Sequence, residues 1–367
     1  MLRTSIVASI VLLFLSSPAL LQAEDTQADP TKEAITKKWE LFWQLDGQFA
    51  FQKPDDHTVV LTDHGKPVWQ YNAAFLANKK VPESDPRHMA GCFVHPLYGL
   101  LGEELTDDAP KDHYHHHGVF WTWPHVAVTE PDGTVRPFDI WTGNTEMKQL
   151  FVKFGELKVE KDKAAFSVEN GWFIAEKTNA FRFDEKGRPL DEKVMSESVT
   201  IVTHRVKNVN PASRAVDFQF VWTVGEKPIT LRGAEEKSYG GLTVRFRPTG
   251  KQGVESLITV PDGVAEKDLP ETPLPWADYT SQFLLDKDGK PVGLLTGAAV
   301  FVPKKHPDYP PTWLTRYYGP LCVGWPGVKD RTFRPGEKIE LSYRIWIHDR
   351  RVSVAEITKA YEEYDAE

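Results

Sequence analysis

The densest run of unusual residues in this chain joins Thr106-Asp107-Asp108, Asp112-His113-Tyr114-His115-His116-His117-Gly118 and Trp121-Thr122-Trp123, with His95-Pro96-Leu97-Tyr98 just before it. A core strand would not accept such a run, because each imidazole requires a hydrogen-bond partner or costs desolvation free energy. The segment is therefore a surface loop or a site. Drawn out as a strand, residues 113–117 would put His113, His115 and His117 on one face and His116 on the other. Alternate histidines can hold a divalent first-row ion (zinc, manganese or iron), with His113, His115 and His116 as candidate ligands and a distant side chain completing the shell. Without a metal, the same rings titrate near neutrality and can act as general acid and base. That makes His115 and His116, with His95, candidate catalytic groups. A solvated histidine loop with incidental metal affinity is the plain alternative. Asp107, Asp108 and Asp112 crowd the same stretch, but neighbours on one loop rarely face each other across a substrate, so hydrolysis by paired carboxylates ranks last. Asp108 is instead a candidate substrate-binding group.

Two further constellations can complete such a site. In His306-Pro307-Asp308-Tyr309-Pro310-Pro311-Thr312-Trp313-Leu314-Thr315-Arg316-Tyr317-Tyr318-Gly319, prolines stiffen the approach and aromatics flank one guanidinium. Arg316 could then grip a carboxylate, hydroxyls or a carbonyl oxygen developing charge, or be stacked purely for packing. Glu235-Glu236-Lys237-Ser238-Tyr239-Gly240-Gly241 is a charged turn feeding a strand, with Lys237 as a second oxyanion-stabilising candidate or simply a solvated side chain. Trp121, Trp313, His306 and Tyr318 are the candidates for contacting substrate. A G-x-S-x-G elbow, an H-E-x-x-H helix and a dinucleotide fingerprint are all missing, so a serine hydrolase, a zincin and a Rossmann enzyme fit poorly.

The elements that must position these groups are strands. Short runs rich in Val, Ile, Phe, Trp and Thr are separated by turn clusters at residues 63–67, 131–133, 184–189 and 286–291. Alternation is clear over 198–206, 216–222 and 339–347, so each of these runs would bury one face and wet the other. Helical period is convincing only over 353–364, where Val354, Ile357, Ala360 and Tyr361 share a stripe. With no propeller-type repeat and no dividing linker, the spacing predicts an all-β fold: one large antiparallel two-sheet sandwich domain over 39–367 with a short C-terminal helix.

The ends and composition add compartment and partners. Arg3, the apolar run Ile6 to Leu15 and the small residues up to Ala23 read as a signal peptide over 1–23, followed by a polar, flexible leader over 24–38. The expected location is periplasmic or secreted. No later run is long and apolar enough for a membrane span, so stable insertion is not expected, nor is a multi-span membrane methane oxygenase. Removing 1–23 would leave 43 basic against 52 acidic residues, a formal charge of −9, which disfavours nucleic acid as a partner. Twelve tryptophans and eleven tyrosines suit a sugar or oligosaccharide ligand, although aromatics more often fill strand cores. Cys92 and Cys322 could bridge if their segments converge, or remain two buried thiols.

Several spaced motifs, in order, resemble the DUF6807 family, often labelled methane oxygenase PmoA. They are His95-Pro-Leu-Tyr98, Asp112-His113-x-His115-His116-x-Gly118 with Trp121, Asp139-Ile-Trp141, Lys237-x-x-Gly240-Gly241 with Arg245, Trp276-x-Asp278-Tyr279, Trp313-x-x-Arg316-x-Tyr318-Gly319 and Pro335-Gly336 with Tyr343-Arg344. His95, His113, His115, His116, Lys237, His306, Trp313 and Arg316 fall on matching positions; Tyr114 and His117 depart from the family pattern. The resemblance implies an exported protein, similar in context to carbohydrate-degrading systems, with a sandwich reminiscent of the galactose mutarotase class. The function expected is a carbohydrate-active enzyme using histidine acid–base or metal-assisted proton transfer on a sugar or oxidised glycoside, with epimerase, lyase and hydrolase chemistries all open. A non-catalytic carbohydrate-binding sandwich and an exported metal-binding protein are the alternatives.

Overall fold

The structure is a computed structural model that describes residues 48–143, 145–207, 210–249 and 251–367. The expected signal peptide (1–23), the expected leader (24–38) and the expected start of folding at Trp39 all lie outside the described residues. Two nine-stranded antiparallel sheets dominate. The first runs Phe49–Asp55, Thr58–Asp63, Lys66–Asn72, Phe93–Leu97, Val119–Thr122, Gly241–Arg245, Pro320–Gly324, Thr312–Thr315 and Leu269–Pro273. The second runs Met147–Val159, Lys163–Ile174, Glu192–His204, Ser213–Val224, Lys338–His348, Thr296–Phe301, Trp276–Ser281, Ser256–Val260 and Gly263–Val264. A four-stranded sheet, including His125–Thr129 and Ile229–Arg232, lies beside them.

The three alternating segments form adjacent strands of the second sheet, pairing Thr203 with Val216 and Phe218 with Tyr343. One of their faces packs on the first sheet: Trp121 lies 4.8 Å from Phe220, and Trp69 lies 5.6 Å from Phe166. The only α-helix among the described residues is Val354–Asp365. Ser353 and Glu356 close a capping box at its start, and Ile357 and Tyr361 are buried. None of the described helices is long and apolar enough to cross a membrane.

Between the sheets lies a polar centre. Glu197, 1% exposed, accepts hydrogen bonds at Oε1 from Trp121 Nε1 (2.9 Å), Gln149 Nε2 (2.6 Å) and Asn170 Nδ2 (2.8 Å). Its Oε2 accepts from Trp172 Nε1 (3.2 Å) and Trp222 Nε1 (2.8 Å). A buried carboxylate persists only when so many donors replace its hydration.

Strand parity decides what faces away from this core. In the first sheet Phe120 pairs with Thr243, Thr243 with Cys322, and Cys322 with Leu314. Phe93, Phe120, Leu314 and Cys322 form a separate apolar cluster with Trp141, whereas Val94, Trp121, Trp313, Leu321 and Val323 belong to the main core. Since side chains alternate along a strand, His95 follows Phe93, Arg245 follows Thr243, and Arg316 extends the row after Leu314 on this second face.

Cys92 and Cys322 are both buried and unpaired, so the bridge between them does not form. The Cys92 Sγ instead donates to the Ala73 carbonyl at 3.6 Å, and burial pushes both thiols up, Cys322 to about 12. Native protein is therefore expected to resist thiol reagents, and denatured, unreduced protein to take up two alkyl groups by intact mass. A mass showing neither modified would contradict this.

Candidate active site

The histidine loop is fastened at its stem rather than stretched along a strand. Gly118 N donates to Asp107 O (2.8 Å), Ala109 N donates to His116 O (2.8 Å), and Asp108 and His117 form an isolated bridge. Gly118 needs its positive φ of 58°, and a Cβ there would lie 2.2 Å from the Val94 carbonyl oxygen. Within the loop, His113 N donates to Pro110 O and His116 N to His113 O, so two successive turns replace the extended run. The consequence is that His115 and His117 share a side as expected, whereas His113 joins His116. His113 and His116 stack at 4.6 Å and 15°, and Tyr318 stacks on the other side of His113 at 4.9 Å and 7°.

This stack also decides the metal expectation. Parallel rings present their nitrogens edgewise in separate planes, whereas a metal needs lone pairs converging on one point about 2 Å from each nitrogen. Among the described residues no group of three or more His, Cys, Asp or Glu side chains is arranged to hold an ion, so the set His113, His115 and His116 does not fit one.

Beneath the stack lies Arg245, 3% exposed, with its guanidinium 4.9 Å from the Tyr318 ring centre and Nη2 3.3 Å from both oxygens of Asp112. Among the described residues its Nε and Nη1 have no hydrogen-bond partner, and neither do Nδ1 of His115 and of His116. Burial, reinforced by neighbouring histidines and Arg245, holds His115 down to about 3 and His116 well below the usual imidazole range. Both rings are neutral at pH 7. Burial likewise would raise Asp112, but the contacts to His113 and Arg245 outweigh it and hold the carboxyl low.

Beside the loop opens a narrow, solvent-open cleft. His115, His117, Arg87 and Lys148 share its lining with the rings of Phe75, Phe93, Phe120 and Trp141. His117 is the most firmly oriented of these: its Nδ1 lies 2.7 Å from Asp108 Oδ1, and Asn78 Nδ2 donates to Asp108 Oδ2 at 2.7 Å. Burial acts to raise Asp108, yet the His117 contact and charge hold it below the ordinary range. Lys148 is 6% exposed, donates to the Gly143 carbonyl, and is brought down to about 8 by burial, against the weaker pull of Asp139.

The other predicted residues distribute unevenly. His95 borders the loop stem, with Nδ1 3.0 Å from Thr106 Oγ1 and Nε2 3.4 Å from Glu104 Oε1; burial brings it to about 4. Arg316 stands on the same face but is engaged by Asp268 at 3.0 Å. Lys237 is exposed on its turn and does not line the cleft. Trp121 and Trp313 are corrections: both are fully buried in the sandwich, their indoles donating to Glu197 and to the Leu274 carbonyl, and neither offers a ring face to a ligand. His306 is another, since it is buried against Tyr343 (3.4 Å) and lines a different groove with Lys304 and Ser342. Sequence reasoning missed Lys148, Arg87 and the partnership of His117 with Asp108. It also quoted Arg245 and Trp141 without giving them a place in the site.

The buried neutral histidines make a pH prediction. His95, His115, His116 and His306 stay unprotonated in the folded chain but take protons near pH 6.5 when unfolded, so the unfolded state binds more protons below that pH. Their contribution is complete above about pH 6.5 and is lost as pH falls toward folded values of about 4 and 3. Glu103, which burial pushes up to about 7, acts in the opposite sense, as does Asp349 at lower pH. Urea midpoints measured from pH 7 to 4 should therefore fall, and His306→Gln should flatten that fall without touching the cleft.

The family model described as a family of unknown function, DUF6807, matches residues 58–362. The chain belongs to this family. No curated protein matches it. Among solved structures, the GH36 α-galactosidase AgaA of Geobacillus stearothermophilus is similar at 9% identity and a TM-score of 0.33, over 83% of this chain and 40% of that one. A galactose mutarotase related enzyme of Lactobacillus acidophilus is similar at 9% identity and a TM-score of 0.32, over 83% of this chain and 99% of the other. The DUF6807 chain thus spans about 40% of the length of the α-galactosidase it matches.

Proposed function

We propose that this DUF6807 protein is an exported carbohydrate-active enzyme that moves a proton at a sugar carbon next to a carbonyl or at the anomeric centre. The observation that carries the reading is the Asp108–His117 pair on the cleft wall. A carboxylate 2.7 Å from Nδ1 fixes the tautomer, stabilises the ring when it gains a proton, and leaves Nε2 without a protein hydrogen bond among the described residues. His117 is then the base. His115, neutral and on the same wall, can hydrogen-bond the sugar, and the Lys148 amino group lies on that wall to activate the neighbouring carbonyl. The edges of Trp141, Phe120 and Phe93 give the cleft an apolar wall, with polar groups placed among them. Arg245 serves from below, as a charge that adds to burial and to His115 in holding His116 below the usual imidazole range.

A panel of neutral and keto sugars, followed by proton NMR in heavy water, tests this. Deuterium entering one carbon position, or anomers interconverting faster than without protein, is the expected result. Saturable binding with neither would overturn the enzyme and leave a carbohydrate-binding sandwich. Absence of any binding would overturn the carbohydrate reading itself.

A further inference from the structure

Lys148 is placed unlike a structural lysine. It begins the strand Met147–Val159, between Met147 and Gln149, and its side chain reaches the cleft. A buried ammonium is ordinarily paired with a carboxylate, because an unpaired charge costs several kcal/mol away from water. Here its one side-chain hydrogen bond among the described residues goes to the Gly143 carbonyl, and none of the ion pairs there includes it. The Phe75 ring centre, 5.6 Å away, offers only a modest cation–π attraction. Backbone closes in behind: a Cβ at Gly143 would sit 2.7 Å from Nζ. So placed, the nitrogen is available as a free amine at mildly alkaline pH, burial having brought it to about 8. His115 and the Asp108-held His117 line the same cleft.

We propose that Lys148 forms an imine with the carbonyl carbon of an open-chain or keto sugar bound in the cleft. The inference rests on the reading of that cleft as the sugar site, and narrows the substrate class to sugars that present a free carbonyl. The amine lone pair forms a C–N bond while the carbonyl π bond breaks, and a proton passes from nitrogen to the new hydroxyl. Protonation of that hydroxyl lets water leave as the C=N bond forms, giving a protonated imine. No oxidant or reductant is consumed. His117 moves these protons, and the imine then draws electrons from the neighbouring C–H bond, the same position from which His117 removes its proton.

Reductive trapping tests this on the unmodified full-length protein. Dihydroxyacetone or glyceraldehyde is added at pH 8 with limiting cyanoborohydride, and peptide mapping compares labelling at Lys148 with that at the exposed Lys153 and Lys163 in the same sample. Lys148 is expected to label at least about tenfold faster, because at pH 8 about half of it is free amine against well under one per cent of an ordinary lysine. Labelling at the rate of the exposed lysines or slower would overturn the proposal, and because the comparison is internal, no variant has to fold. If the sugar panel shows proton exchange while Lys148 does not trap, the imine falls and the acid–base reading stands. If Lys148 traps fast and no sugar undergoes exchange, the imine stands and proton transfer falls.

Discussion

Glu197→Ala is expected to leave the chain unable to fold. Five donors converge on this one carboxylate, three of them indole N–H groups from Trp121, Trp172 and Trp222. Each donor left unsatisfied in the interior costs about 1–3 kcal/mol, so losing most of them approaches the roughly 5–15 kcal/mol that holds a whole domain together. Glu197→Gln keeps the shape but turns an NH₂ group toward donors, and should cost on the order of 3 kcal/mol while allowing a folded product. Urea denaturation followed by tryptophan emission measures both. A Glu197→Ala protein with a wild-type midpoint would show that the network contributes nothing.

The second large effect is on turnover. His117→Ala should lower the rate on whichever sugar the panel identifies by about 10²–10⁴, the range for a positioned acid–base group, while sugar affinity changes little. Asp108→Asn should produce a loss of similar kind, because the amide can hold the ring in the wrong tautomer and cannot stabilise the imidazolium. If His117→Ala and Asp108→Asn combined cost no more than either alone, the two act as one unit. Full activity in His117→Ala would remove this residue from the mechanism.

Much of the architecture was legible because period two is a local signal. The runs at 198–206, 216–222 and 339–347 announced strands, and the stripe of Val354, Ile357, Ala360 and Tyr361 announced the helix. The site was legible only as a region. Counting alternation from His113 failed because the loop turns twice through backbone bonds that no side-chain pattern encodes. Trp121 was mistaken for a ligand platform, although its neighbours Val119 and Phe120 fix its parity once one of them is known to face the core. That knowledge is tertiary. Lys148 carried no signal at all, since an isolated lysine at the start of a strand becomes unusual only when the fold buries it without a carboxylate. His117 was set aside for departing from the family pattern, and it turned out to be the ring that Asp108 holds.

The alternation along Val119–Thr122, Gly241–Arg245 and Pro320–Gly324 separates two kinds of information that share one stretch of chain. Every second residue writes the interior and the ones between write the face beneath the histidine loop, so tolerance to substitution should oscillate along these strands with a period of two. Positions such as Trp121 and Leu321 would lose protein, and positions such as Thr243 and Arg245 would lose activity first. Such a sheet can change the molecules it recognises without renegotiating how it folds.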